Sequence, residues 1–304
     1  MMIDRTKTMP IEQVAYPCPI CAAHDSQPLY PDTLGGRLPR LVYEYSPEHM
    51  RTYRWVRCQA CRHAFCSPRP SQLRRLYEDV EDPAYLEFRP NRIATAKNVV
   101  QQIRRYRPAG RLLDVGCATG DFLSVARASF EVEGLELSRW AAQIARGQGL
   151  PVHECDLQGF APEQPFDVLT LWGVIEHFEE PARDVRKMAE LLRPGGLVCL
   201  WTGDAESWIA RLLGKKWWYV QGQHLQLFSE YSLQRIFAMA GFEDVWIGRY
   251  PYVTTVGSLA KGLNRYPAVG PAAHRALSHP WVAARALTLT LPGELFAIFR
   301  KRPS

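Results

Sequence analysis

The sequence predicts an α/β protein: a doubly wound, mostly parallel seven-stranded sheet with a small N-terminal cysteine-rich unit. Three observations carry this. Residues Leu112–Leu123 read LLDVGCATGDFL, an apolar strand that runs through a turn with glycine at both ends into an apolar helix. Strand-like and helix-like stretches then alternate through the rest of the chain, to a last apolar run at 294–301. Two C-x₂-C pairs, Cys18/Cys21 and Cys58/Cys61, stand ahead of that alternation.

Residues 1–15 read as a flexible tail, and residues 16–70 as a zinc ribbon. Each cysteine pair offers two thiolates from a tight turn, and two pairs complete a tetrahedral four-sulfur shell. Cys18, Cys21, Cys58 and Cys61 are therefore the expected ligands of a structural Zn2+, with no open position for catalysis. In a reducing compartment paired cysteines favour metal over disulfides. Arg62 stands where glycine often follows the second pair, which demands a strained turn. His63 and Cys66 read as a surface histidine and a small buried thiol. Short strands such as 51–57 are expected, and Pro68-Arg-Pro70 closes the unit.

Residues 71–110 read as a helical linker and active-site cover. Ser71 is expected to cap a helix over 72–78, and Asn91 one reaching about residue 106. Between them lies a loop with Tyr85 and Phe88. Residues 111–304 form the main domain. Its strands are expected at 111–116, 131–136, 150–154, 166–171, 196–202, 243–250 and 294–301, and its helices near 120–129, 138–147, 182–192 and 230–240. Arg193-Pro-Gly-Gly196 stops one helix; Ser229 and Gly241 bound another. Residues 251–291 read as a helical insertion of two short helices beside the active-site mouth, a cover or a contact for a lipid-linked substrate.

A strand, a glycine turn and a helix in that order build a ligand crevice at the carboxyl ends of the strands. Gly116 and Gly120 let backbone approach a ligand. Glu136, twenty residues past Gly116 at the end of the second strand, is placed to accept hydrogen bonds from a ribose diol. A dinucleotide fold wants G-x-G-x-x-G, and Ala118 breaks that pattern. Asp114, just ahead of the turn, would repel a pyrophosphate but suits an amino group beside a sulfonium. The ligand expected is an adenosyl amino acid.

The segment resembles motif I of the class I S-adenosylmethionine-dependent methyltransferases. The likeness continues through Val132–Ser138, Glu154–Asp156, Phe166–Phe178, Leu191–Val198 and His224–Phe242. Residues 53–79 are similar to the ribbon that precedes many bacterial small-molecule methyltransferases. The resemblance implies a Rossmann-like methyltransferase fold with S-adenosyl-L-methionine as cofactor. It places Asp114, Gly116, Ala118, Gly120, Glu136, Leu137, Asp156, Leu157, Leu171 and Trp172 around that cofactor. Asp156 falls near the adenine amino group, and Leu171 and Trp172 near the methionine moiety. Glu176-His177 matches a magnesium-binding pair of ubiquinone-type O-methyltransferases, with Gly173 where their extra acid stands. Gln223–Ser229 resembles a motif of zinc-ribbon sugar C-methyltransferases whose histidine helps move the acceptor's proton, which is His224 here. His224 and His177 are the candidate bases, Tyr85 a pocket-closing residue, and Trp217-Trp218-Tyr219 a partial acceptor wall.

The formal charge of +6 is mild and spread along the chain, with no dense basic stripe, so nucleic acid is an unlikely partner by this reading. No 18-residue apolar run spans a membrane, the first residues lack a secretory apolar core, and a cytoplasmic location is expected. The function expected is methyl transfer to a small-molecule acceptor, foremost oxygen on a sugar or secondary metabolite. The alternatives are an RNA methyltransferase that binds RNA through the ribbon, and a non-catalytic S-adenosylmethionine-binding protein.

Overall fold

The structure is a computed structural model and describes residues 13–43, 50–263, 270–277 and 279–303. Most of the predicted tail, 1–12, lies outside the described residues; Val14 forms a backbone bridge to Arg69.

The cysteine-rich unit supplies β1 (Ser26–Tyr30), β2 (Trp55–Cys58) and β3 (Ala64–Cys66), paired antiparallel. The second strand is shorter than expected. After it, the linker departs from prediction at both caps. Ser71 caps nothing: Gln72, in the left-handed region at φ 60°, starts a short 3₁₀ turn, Leu73–Tyr77. The carboxylate of Glu179 accepts from the amides of Gln72 and Arg74, at 2.9 and 3.1 Å, and does the work expected of a serine. Likewise Asn91 lies inside α1 (Arg89–Arg104), because a 3₁₀ turn over Pro83–Phe88 runs directly into that helix.

The core then alternates as expected: β4 (Arg111–Val115), α2 (Asp121–Ala126), β5 (Glu131–Leu135), α3 (Arg139–Gly147), β6 (Val152–His153), β7 (Phe166–Trp172), α4 (Pro181–Leu191) and β8 (Leu192–Gly203). Next come α5 (Trp208–Leu213), β9 (Gln226–Leu227), α6 (Glu230–Met239) and β10 (Phe242–Gly248). Ser229 accepts from the Ser232 amide at 3.2 Å to open α6, and Gly241 follows its end at φ 84°. The segment 251–291 is richer than two helices. A hairpin of β11 (Tyr252–Thr255) and β12 (Ala286–Leu289) frames α7 (Val256–Leu263), α8 (Gly270–Leu277) and α9 (Pro280–Ala283). β13 (Glu294–Lys301) closes the chain.

The seven-stranded sheet has the order β10-β13-β8-β7-β4-β5-β6, and β13 runs antiparallel to both neighbours. Period-two alternation sorts its side chains. Leu113, Leu169, Val198 and Phe299 face α4 and α6, whereas Leu112, Val168, Cys199 and Ile298 face α1, α2 and α3. The cysteine-rich unit is welded to this core. Its β3 pairs with β9, forming a four-stranded sheet, and Cys18, Ile20 and Phe65 share one cluster with Phe228, Ile236 and Phe237.

Candidate active site

The glycine turn after β4 is built as its residue types require. Gly116, Ala118 and Gly120 all hold positive φ, at 70°, 46° and 79°. A Cβ on Gly116 would lie 2.8 Å from Val174, and one on Gly120 2.5 Å from Leu150. These glycines therefore serve packing against neighbouring elements as well as ligand approach. Ala118 adopts the left-handed region with a side chain, and its amide donates to Glu136 Oε2 at 2.8 Å.

Glu136 is buried at the carboxyl end of β5. Its Oε1 accepts from the Ser138 amide at 2.8 Å and from the Tyr43 hydroxyl at 3.2 Å. Burial raises its pKa, opposed by these donors. Asp114 is also buried and accepts from Thr170 Oγ1 at 2.6 Å; burial pushes its carboxyl up to about 8. Asp156 accepts from the Gly159 amide at 2.7 Å and pairs with Arg74 at 2.7 Å, so the linker reaches over this edge of the crevice. Leu137, Arg74, Arg139 and Asp156 line one cavity there. Trp172 continues the wall against Phe122 and Tyr250, with ring centroids 4.9 and 6.0 Å away. Leu171 departs from expectation. It has no exposed surface and packs in the core on the α4 side, because alternation along β7 turns it away from Trp172. Leu157 is likewise a core residue.

Beyond the end of β7 lie the candidate bases. His177 Nδ1 lies 3.0 Å from the Gln223 carbonyl and 2.8 Å from the Tyr77 hydroxyl. His224 Nδ1 lies 2.8 Å from the Tyr219 carbonyl. A carbonyl only accepts, so the His224 ring donates from Nδ1 to Tyr219, whereas His177 Nδ1 has both a carbonyl and a hydroxyl within reach. The two rings meet edge to face at 4.7 Å. Glu176 is buried beside them, accepts from Thr202 Oγ1 at 2.9 Å, and is pushed up to about 7 by burial. Donor atoms of Glu176, His177 and His224 lie within 4.8 Å of one another.

Tyr85 lies in the linker turn Pro83–Phe88. Its ring stacks on Tyr43 at 4.8 Å and lies under the Arg92 guanidinium at 3.4 Å, at the mouth of the crevice. The tyrosine that touches His177 is Tyr77, which sequence reasoning missed. No motif marks it; only the path of the linker brings it in. Tyr43 and Tyr250 were missed for the same reason. Of the aromatic run, Trp217 and Tyr219 are buried and Trp218 is half-buried, so most of it turns inward.

The four cysteines converge. Cys18 and Cys61 sulfurs are 3.4 Å apart, Cys21 and Cys58 sulfurs 3.6 Å, and all four lie within 4.8 Å. Metal–sulfur bonds of 2.3 Å at a tetrahedral centre put sulfurs about 3.8 Å apart, so the set fits a four-thiolate ion. Residues Ala22 and Arg62, each just after a pair, take positive φ of 58° and 63°, the strained turn expected at Arg62. His63 is not on the surface. It is 1% exposed, stacks near Phe65 and Phe228, and bonds Gln226 at 2.9 Å; burial lowers its pKa to about 4. Cys66 is buried, with its thiol 3.6 Å from the His224 carbonyl.

Residues 85–246 match the family described as methyltransferase domain, which is more than half of the chain. The chain belongs to this methyltransferase family. The chain is 34% identical over 118 residues to a ubiquinone biosynthesis O-methyltransferase of Ralstonia nicotianae, covering 35% of this chain and 50% of that one. It is 38% identical over 115 residues to dTDP-4-amino-2,3,4,6-tetradeoxy-D-glucose N,N-dimethyltransferase of Saccharopolyspora spinosa, covering 35% and 46%. It thus spans about half the length of these relatives. A chain from the complex of the Haloferax volcanii Trm112 methyltransferase activator with a methyltransferase shares the fold. That match has a TM-score of 0.51 and 14% identity over 73% of this chain and 95% of the other.

Proposed function

We propose that the protein transfers a methyl group from S-adenosyl-L-methionine to a small-molecule acceptor. The observation that carries this reading is the row of buried carboxylates at the carboxyl ends of neighbouring strands. Asp114 is the last residue but one of β4, and Glu136 follows β5 with its oxygens held by the amides of Ala118 and Ser138. In this reading Glu136 binds the ribose hydroxyls, Asp114 the amino-acid end, Leu137 and Asp156 the adenine side, and Trp172 the methionine side.

Transfer is an in-line substitution at the sulfonium methyl carbon, so the protein's work is alignment and removal of the acceptor's proton. His177 and His224 are the candidate bases, and their ring nitrogens group with the Glu176 carboxylate. An acceptor hydroxyl, the sequence expectation, and an amine are both within their chemistry. The names of the two relatives, one an O-methyltransferase and one an N,N-dimethyltransferase, support either atom. The spacing of Glu176, His177 and His224 also suits a divalent cation, and a chelator arm separates the two uses.

The four thiolates hold a structural Zn2+ in this reading, which fixes the ribbon against β9 and the His224 segment. Incubating the protein with a methyl-labelled donor and a metabolite extract, with and without chelator, tests the function. A labelled small molecule is expected. Label entering only RNA would favour the nucleic-acid alternative, and donor binding without any product the non-catalytic one.

A further inference from the structure

One wall of the crevice has chemistry that methyl transfer alone does not demand. Glu294, at the first position of β13, is 4% exposed and faces Gly203 across the ladder. The indole of Trp201 donates to its Oε2 at 3.0 Å, and that of Trp218 to its Oε1 at 3.2 Å. Glu176 lies on the other side of the same strand end, held through Thr202 next to Gly203. Gly173 lies between the two groups: a Cβ there would sit 3.2 Å from the Trp201 ring and 3.6 Å from Glu176 Oε1. Tyr250 stacks on Trp201 at 4.7 Å, nearly parallel. Two phenols complete the lining. Tyr219 and Tyr250 are 5% and 8% exposed. Besides burial, the carboxylate that most raises both is Glu294.

We propose that this space receives a protonated amine, an alkylammonium group of a small molecule, between Glu176 and Glu294, with Trp201 and Tyr250 as π walls. The inference rests on the methyltransferase reading and names its acceptor class. Buried carboxylates beside aromatic faces attract an ammonium ion by charge and by the ring quadrupole. Phenol oxygens accept its remaining N–H groups. A neutral hydroxyl offers no counter-charge to the pair of acids. The transfer balances as follows. One ammonium N–H bond breaks and its proton passes to a base of the group, His177 or His224 beside Glu176. The freed lone pair forms a bond to the donor's methyl carbon. The carbon–sulfur bond breaks, its electron pair stays on sulfur, and the sulfonium becomes a neutral thioether. The product leaves as a methylammonium ion.

The test uses the full chain saturated with sinefungin, titrated with phenethylammonium and with its neutral isostere 2-phenylethanol. Calorimetry and tryptophan fluorescence read binding. The ammonium ion is expected to bind at least tenfold tighter. Glu294→Gln should abolish the preference while sinefungin affinity holds. Should that variant fail to fold, Trp218→Phe, which removes one indole donor and keeps the acid, should still shrink the preference. Equal binding of the two isosteres, or none, by a protein that holds sinefungin overturns the proposal. An ammonium preference that needs an added divalent metal overturns it too. Failure of the wild type to bind sinefungin instead overturns the methyltransferase reading beneath it.

Discussion

Replacing Glu136 by glutamine changes one atom and tests the donor site. Three donors converge on the two carboxylate oxygens: the Ala118 amide on one, the Ser138 amide and Tyr43 hydroxyl on the other. A glutamine has one acceptor oxygen. Turned toward Ser138 and Tyr43, it presents its NH₂ to the Ala118 N–H, and a buried donor is stranded at a cost of about 1–3 kcal/mol. Turned the other way, it strands the Ser138 amide while the Tyr43 hydroxyl accepts from the new NH₂, so either orientation strands one backbone donor. At about 2–4 °C per kcal/mol, the melting temperature should fall by several degrees. The ribose hydroxyls lose a charged acceptor as well, which should weaken sinefungin by about 1.5–3 kcal/mol, roughly 10- to 150-fold. Calorimetric titration and thermal melting read the two effects separately. A lower melting temperature with unchanged sinefungin affinity would refute the ribose assignment and leave Glu136 as a staple of the turn.

Other expectations follow from single contacts. Ala118→Gly should stabilise the fold by about 0.5–1 kcal/mol, because Ala118 holds φ 46°, which glycine adopts without penalty; chemical denaturation checks it. Cys21→Ser, or a strong chelator, should lower stability. It should also slow turnover, because β3 pairs with β9 and the Cys66 thiol meets the His224 carbonyl; intact turnover in metal-free protein would count against the ribbon's role. His63 is neutral in the fold with its pKa lowered to about 4 by burial, so the unfolded chain takes up its proton first as pH falls. Stability should therefore drop between pH 6.5 and 4, by up to about 3 kcal/mol, and His63→Gln should flatten that slope.

Much of the fold was legible because its signals are local. Alternating apolar runs gave the seven strands, Ser229 and Gly241 marked a helix, and C-x₂-C pairs marked the four converging sulfurs. The linker caps were misread because the partner that satisfies the first turn, Glu179, lies more than a hundred residues away.

The chain alone thus determined the strand–turn–helix crevice and its carboxylates, since residue type, spacing and period act within a few residues. Only the tertiary structure decided what surrounds the two histidines and the last strand's Glu294. Tyr77 from the linker and His224 from the segment before α6 meet His177, while Tyr250 from beyond β10 and Glu294 from the last strand meet Trp201. Which of them face one another depends on strand order and on how the linker and the ribbon's β3 pack against the sheet, and no local pattern encodes that.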